Sequence, residues 1–333
     1  MQTTTLARIT ALPLVVTTRR LRQAGLDPDL ARRAAGAGSW TRLGPDAWLR
    51  RPGPAHRSHL VTAALALAGP GAALTGADAC TALGLRDVPR QRDVAVLLPA
   101  GRRRGARPGI TWLRTQDQVA TLHHDGLPMA EPDRAVLDAA RLSTDLRDVR
   151  ALLCEAVRDG WTSVAAQRAA LLTGPKRRRA LVHSALDSVV EGARSAPECE
   201  LADALRPAVA AGGLVVLLNP QVLINGELLC CPDAYVVGCA LGVELDSRRH
   251  HGDPVDFEAT LRRHDRAASR GLLLLHVTPR TLRSDPAAYR ELVCAAVRAR
   301  RTGGLREPAG LTVLPSGPPV AGTTAHRPVI NAR

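Results

Sequence analysis

Four acidic side chains and two adjacent histidines in the second half of the chain have the types and spacing for oxygen-based cation chemistry. Asp233 follows Pro232 in CPDAYVV, and Glu244 and Asp246 stand two positions apart in ALGVELD. On a strand, that spacing sends both side chains out by one face. Carboxylates held on neighbouring strands bind a hard divalent cation, Mg²⁺ or alternatively Mn²⁺, through oxygen. Such an ion polarises a phosphoryl oxygen and lowers the pKa of an attacking water. Glu198, in SAPECELADAL, completes the oxygen shell, so the expected ligands are Asp233, Glu244 and Glu198 with Asp246 beside them.

Sites of this kind commonly add a lysine that steadies developing charge. The chain has one lysine, Lys176, and it lies outside this segment. Arg248 and Arg249 supply charge but no base, because a guanidinium stays protonated. His250 and His251 follow, and either serves as general base or nitrogen ligand; His251 is the expected base. The plainer alternative is an acidic strand edge that is solvated or paired with arginines such as Arg248. No Walker-type phosphate loop, HExxH helix or GxSxG elbow competes.

These residues need strands and helices to hold them. A helix is expected from about Leu181 to Leu205, followed by strands LVVLL and QVLI. Asn225-Gly226 turns the second strand into LLCCPDAYVV, a strong hairpin signal. Strand ALGVELD, a helix from about Val255 to Arg270, strand LLLLHVT and helix PAAYRELVCAAVRARR complete the series. The order helix, three strands, helix, strand, helix (αβββαβα) matches a restriction-endonuclease-like core, placed at residues 180–301. Residues 303–333 are rich in Gly, Pro and Thr and read as a disordered tail.

The beginning of the chain has another pattern. TTRRLRQA offers Thr17 or Thr18 as an N-cap and stops at Gly25; in LDPDLARRAAGAG, Asp27 is the cap and Pro28 the first helical residue. SWTRLGPDAWLR gives two short strands around Gly44-Pro45-Asp46. Helix, glycine turn, helix, hairpin is the order of a winged helix-turn-helix, placed at residues 1–54. In that geometry the second helix enters the major groove and the hairpin rests on the backbone. Leu30 and Ala34 turn Arg32 and Arg33 outward, and these two with Arg42 are the expected DNA contacts. The simpler alternative is a helical hairpin with solvated arginines.

Residues 55–175 read as a mainly helical middle domain with one small strand pair, DVAVLLP and GITWLRT. The connecting AGRRRGARP carries Arg102, Arg103 and Arg104, which contact phosphate or are simply solvated. The expected fold class is α+β throughout.

Composition bounds the partners. At 333 residues, two or three compact units are expected, and 45% apolar residues suffice for real cores. Aromatics make up 2%, so those cores must be built from Leu, Val and Ala. The formal charge of +14 and a pI near 10.9 favour a polyanion such as double-stranded DNA. Codon bias toward arginine in a GC-rich genome accounts for the same excess. The seven cysteines form no CxxC pair, which reads as buried thiols in a reducing compartment. LVTAALALAGPGAAL is broken by Gly and Pro and too short for a bilayer, and no signal peptide is recognisable. A cytoplasmic protein without membrane partners is expected.

With these residues in view, the segment from about Ser195 to Arg300 resembles a bacterial domain family related to the very-short-patch-repair endonucleases. The resemblance is carried by Ser195-Ala-Pro-Glu198, Pro232-Asp233, Glu244-Leu-Asp246, His250-His251, Phe257, Arg263 with Asp265, and Gly271. Ser247, Thr260 and Leu272 stand where the family pattern has other residues. The region before it resembles AbiEi-type antitoxins of type IV toxin–antitoxin systems through LRQAGLDPDLARRAAGAGSWTRL, LTGADACTALGL, DGLPMAEPDRAVLDAAR and AVRDGWTS. The resemblance implies a DNA-binding transcriptional regulator with a nuclease-fold C-terminal domain. A cognate nucleotidyltransferase-like toxin is implied by genome context only. One alternative is a Mg²⁺-dependent endodeoxyribonuclease using Glu198, Asp233, Glu244, Asp246 and His251. Another is a regulator whose nuclease fold is catalytically inactive.

Overall fold

The computed structural model describes residues 2–115, 120–173, 176–211, 214–246 and 254–315. Helices and several sheets alternate along them, a mixed architecture consistent with α+β. The chain divides into two units, one holding the described residues of 1–144 and 169–177, the other those of 145–168 and 178–326.

The first unit opens with α1 (Gln2–Thr10), β1 (Val15–Thr17), α2 (Thr18–Gln23), α3 (Asp29–Gly36), β2 (Thr41–Gly44) and β3 (Ala47–Leu49). Thr17 accepts the amide of Arg20 at 3.3 Å and so caps α2. Gly25 takes a left-handed φ of +67° and ends it. Asp27 accepts the amide of Asp29 at 2.9 Å, which places the start of α3 one residue beyond Pro28. β3 lies between β1 and β2, antiparallel to both. Leu12, Val16, Leu21, Leu26, Ala31 and Trp48 pack as the core beneath. Arg50 closes the carbonyl end of α1, donating to Ile9 O and Pro13 O at 2.8 Å each.

The unit continues with α4 (Arg57–Ala68), β4 (Ala73–Thr75), α5 (Gly76–Ala82), β5 (Val94–Leu98), β6 (Ile110–Arg114), β7 (Thr121–His124), β8 (Leu127–Ala130) and α6 (Pro132–Leu142). Its strands form one five-stranded sheet, β6-β5-β4-β8-β7, where a mainly helical segment with a single strand pair is expected from sequence. β4 is only three residues long and wholly buried, so no alternation marks it. β7 and β8 form a hairpin through Asp125-Gly126, both at positive φ. Pro128 obscures that hairpin, yet β8 tolerates it because its other side meets β4 through the single pair Leu74↔Met129. β5 and β6 run parallel, so the arginine-rich stretch between them is a crossover and not a hairpin loop. Arg57 fastens α4 to α5 with two bonds of 2.7 Å to the Asp78 carboxylate.

α7 (Leu146–Arg158) and α8 (Val164–Thr173) precede α9 (Arg179–Val190), α10 (Ala196–Ala210), β9 (Val216–Leu218), β10 (Gln221–Ile224), β11 (Glu227–Cys230), β12 (Ala234–Val236) and β13 (Leu241–Leu245). Then come α11 (Pro254–Ser269), β14 (Leu273–Val277), α12 (Pro279–Ser284), α13 (Pro286–Thr302) and β15 (Leu311–Leu314). The main sheet of the second unit has the order β14-β13-β12-β9. β12 is antiparallel to both neighbours, whereas β13 and β14 are parallel and joined by α11. Its core joins Cys154 of α7 to Cys199, Leu201 and Leu205 of α10, to Val236 and Val243 of the sheet, and to Tyr289 and Val293 of α13. α7 therefore belongs to this core, ahead of the boundary expected near residue 180.

Asn225 and Gly226, at φ of 51° and 84°, turn β10 into β11 as expected. The third strand of that small sheet is β15, antiparallel to β10 from Gln221↔Leu314 to Ile224↔Leu311. Disorder beginning at residue 303 is therefore incorrect for this stretch: LTVL has the alternation of a strand, and the surrounding Gly and Pro hide it. Glu307 adds to the join, accepting from the Tyr235 hydroxyl at 2.9 Å and the Gly238 amide at 2.6 Å. The expected tail beyond residue 315 lies outside the described residues.

Candidate functional site

Pro232 ends β11's run and delivers Asp233 just ahead of β12. β12 and β13 pair at Ala234↔Val243, so Asp233 falls beside Glu244, one step further along the ladder. In the β13–β14 ladder Glu244 faces His276 directly. Asp233, Glu244 and His276 thus line up across three adjacent strands. Asp246 reaches the same place: its amide donates to Val277 O at 2.9 Å, and its Oδ1 lies 3.2 Å from His276 Nδ1. From α11, Arg263 Nη2 stands 3.7 Å from Glu244 Oε2, and the His264 ring lies 4.6 Å from the His276 ring.

The electrostatics follow from this crowding. Burial pushes the Glu244 carboxyl up to about 7, the Asp233 charge adds to the shift, and Arg263 opposes it. Burial likewise pushes Asp233 up to about 6, against the Leu245 amide, which donates to its Oδ2 at 2.6 Å. His264 is held below its ordinary value by burial and by the neighbouring His276 and Arg263. The Tyr289 phenol is pushed up by burial and by the charge of Asp246. Three buried polar atoms here have no hydrogen-bond partner among the described residues: Glu244 Oε1, His264 Nε2 and the Tyr289 hydroxyl.

Glu198 is differently employed. Ser195 Oγ donates to its Oε1 at 2.8 Å, the Arg194 amide donates to its Oε2 at 2.7 Å, and Asn219 Nδ2 also donates to Oε2. Ser195 in turn accepts the Glu198 amide at 3.4 Å and so caps the start of α10. Both carboxylate oxygens are engaged in this way. Among the described residues no group of three or more His, Cys, Asp or Glu side chains could hold a metal ion. The Glu198 charge nevertheless reaches Asp233 and adds to the upward shift of that carboxyl, so Glu198 shares the neighbourhood of Asp233 while its oxygens serve the start of α10. His251, the expected base, and its neighbours Ser247, Arg248, Arg249 and His250 lie outside the described residues.

At the other end of the chain Arg32, Arg33 and Arg42 are exposed. Arg32 pairs with Asp29, Arg33 Nη2 stands 3.9 Å from Asp27 Oδ2, and Arg42 Nε donates to Gly44 O at 3.2 Å. Of the crossover arginines, Arg103 is exposed, whereas Arg104 donates to Leu67 O at 3.2 Å and Ala68 O at 2.9 Å. Arg102 donates to Ala68 O at 3.2 Å and to Pro70 O. These two therefore cap the carbonyl end of α4, a use no charge count reveals.

Sequence reasoning missed His276, His264 and Tyr289. The one signal was a histidine in the otherwise apolar strand LLLLHVT, and its partners appear only through the β13–β14 register.

No protein-family model matches the chain, and no curated protein matches it. Among solved structures, the crystal structure of the RV2827C protein from Mycobacterium tuberculosis is similar at 22% identity and a TM-score of 0.38, over 55% of this chain and 75% of that one. No helix among the described residues is long and apolar enough to cross a membrane.

Proposed function

We propose that this protein is a DNA-binding transcriptional regulator of the type IV antitoxin kind, acting in the cytoplasm on double-stranded DNA. The observation that carries the reading is the succession α1, β1, α2, α3, β2, β3 with its own apolar core and an exposed arginine face. Read as a winged helix, α3 enters the major groove with Arg32 and Arg33, and the β2–β3 wing sets Arg42 on the backbone. The formal charge of +14 supports such a partner. Arg32 and Arg33 keep spare donors despite Asp29 and Asp27, since a guanidinium carries five N–H groups.

The test is a gel-shift titration against the protein's own upstream region. Arg32→Glu with Arg33→Glu is expected to abolish specific binding, and unchanged affinity would overturn the placement of α3. A nucleotidyltransferase-like gene next to this one supports the antitoxin reading, and its absence removes that support.

A second reading rests on a separate observation, the alignment of Asp233, Glu244 and His276 with Asp246 alongside. The path α10, β9, β12, β13, α11, β14, with β10 and β11 as an excursion, supports a restriction-endonuclease-like fold for the second unit. In an endonuclease on that fold, His276 would hold or release a proton at Nε2 while Asp246 orients its Nδ1. Incubation of plasmid and mismatched duplexes with Mg²⁺ or Mn²⁺ separates the readings. Cleavage lost in Asp233→Ala and Glu244→Ala supports the enzyme; intact DNA in every metal leaves this unit as a structural, inactive nuclease fold.

A further inference from the structure

Three arginine heads meet over Gly69. A Cβ placed on that residue would find Arg19 Nη1 at 3.1 Å, Arg102 Nη1 at 3.3 Å and Arg104 Nη2 at 3.5 Å. They come from two stretches of the first unit: Arg19 from α2, the other two from the β5–β6 crossover. Gly69 closes α4 at a φ of +84°, a conformation that suits glycine, and a side chain there would press on the Arg19 and Arg102 guanidinium groups and touch that of Arg104.

Two of the three have a local reason to be present. The carbonyl end of a helix is its negative pole, and Arg102 and Arg104 donate to it. Arg19 has no such reason. It is exposed, and no described residue gives it a hydrogen bond or ion pair. No described carboxylate pairs with Arg102 or Arg104 either, in contrast to Arg32, Arg33 and Arg107 of the same unit, each of which faces an aspartate. Like charges drawn together without a counter-charge are completed by an anion, and guanidinium forks match the oxygens of phosphate.

We propose that Arg19, Arg102 and Arg104 form a clamp for a backbone phosphodiester of duplex DNA, so that the footprint of the winged helix continues onto the β5–β6 crossover. The clamp rests on the DNA-binding reading and deepens it. Two features favour a DNA phosphate over a free ion. Arg19 sits on α2, the helix packed beside the proposed groove helix, and its neighbours Arg20 and Arg22 are exposed as well. Arg103, between the two crossover arginines in the sequence, is exposed as well.

The test measures binding of the full-length protein to a random-sequence duplex and to its upstream region across a salt series. Each phosphate contact contributes about 0.9 to the slope of log K against log salt. Arg19→Ala removes an exposed side chain without partners, so its thermal midpoint should match the wild type. Its salt slope should fall by about one, and its affinity should drop by a similar factor on both duplexes. Arg102→Gln, which keeps an amide donor for the α4 carbonyls, should do the same. Wild-type binding with unchanged slopes in both variants overturns the clamp and leaves the DNA-binding reading standing. No duplex binding by the wild type overturns both. Phenylglyoxal modification of Arg19 provides the other arm: protection by duplex supports the clamp, and protection by inorganic phosphate but not duplex overturns it in favour of a free-ion site.

Discussion

The carboxylate of Asp233 accepts the backbone amide of Leu245 at 2.6 Å, which ties the first acid of the site to the strand position just after the second, Glu244. The bond holds the two carboxyl groups side by side, and their ionisations oppose each other.

The consequence is a stability that depends on pH. Folding raises Glu244 from 4.5 to about 7 and Asp233 from 3.8 to about 6. The folded protein thus binds these protons more tightly than the unfolded chain. Their stabilising effect is complete below the unfolded values and is lost as pH rises through about 6 and then about 7. Glu244→Gln fixes a neutral side chain of the same shape. Urea unfolding should show the variant near the wild type at about pH 4 and more stable by roughly 2–3 kcal/mol at about pH 8. An equal difference at both pH values would show that Glu244 is not held neutral by burial.

Glu198 offers the opposite experiment. Its oxygens accept from Arg194, Ser195 and Asn219, and Glu198→Ala leaves those donors stranded in a buried place. The expected loss is about 2–4 kcal/mol, read as a lower urea midpoint that added Mg²⁺ does not change. A ligand held for a metal behaves differently, since removing it relieves repulsion among carboxylates. A variant as stable as the wild type would return Glu198 to that role.

Cysteine accessibility checks the packing of the second unit. The Cys154 and Cys199 sulfurs are 4.0 Å apart between α7 and α10 and are fully buried, and the Cys154 thiol is pushed up by its hydrogen bond to Cys199 and by burial. Cys231 is exposed. Iodoacetamide followed by peptide mass spectrometry should label Cys231 first and reach Cys154 and Cys199 only on unfolding. Early labelling of Cys154 would mean that α7 does not belong to this core.

Features that act within a few residues were readable in the chain. Thr17, Asp27 and the Asn225-Gly226 turn do what their types dictate, because a cap or a turn is settled by neighbours. The pairing of Glu244 with Asp246 on one face follows from strand alternation. What stayed hidden depends on register between distant segments. His276 meets Glu244 across a parallel ladder whose strands are joined by a whole helix, and nothing in LLLLHVT names its partner. β4 is too short to have a period, and β15 sits in a composition that resembles a tail. Arginine misleads in its own way. Arg50, Arg102, Arg104 and Arg300 all donate to backbone carbonyls, so part of the positive charge also staples the chain to itself.

The late strand β15 has a practical consequence for anyone shortening this protein. Ending the chain after Thr302, where composition invites the cut, would strip β10 of its outer neighbour and bare the row of amides and carbonyls from Gln221 to Ile224. An open edge of that sort recruits strands from other molecules. It would also uncover Val222 and Ile224, which pack with Leu311 and Val313. The trimmed protein is expected to self-associate on size-exclusion chromatography while a chain ending just past β15 stays monodisperse, so the safe place to trim is set by one pair of strands and not by where the glycines begin.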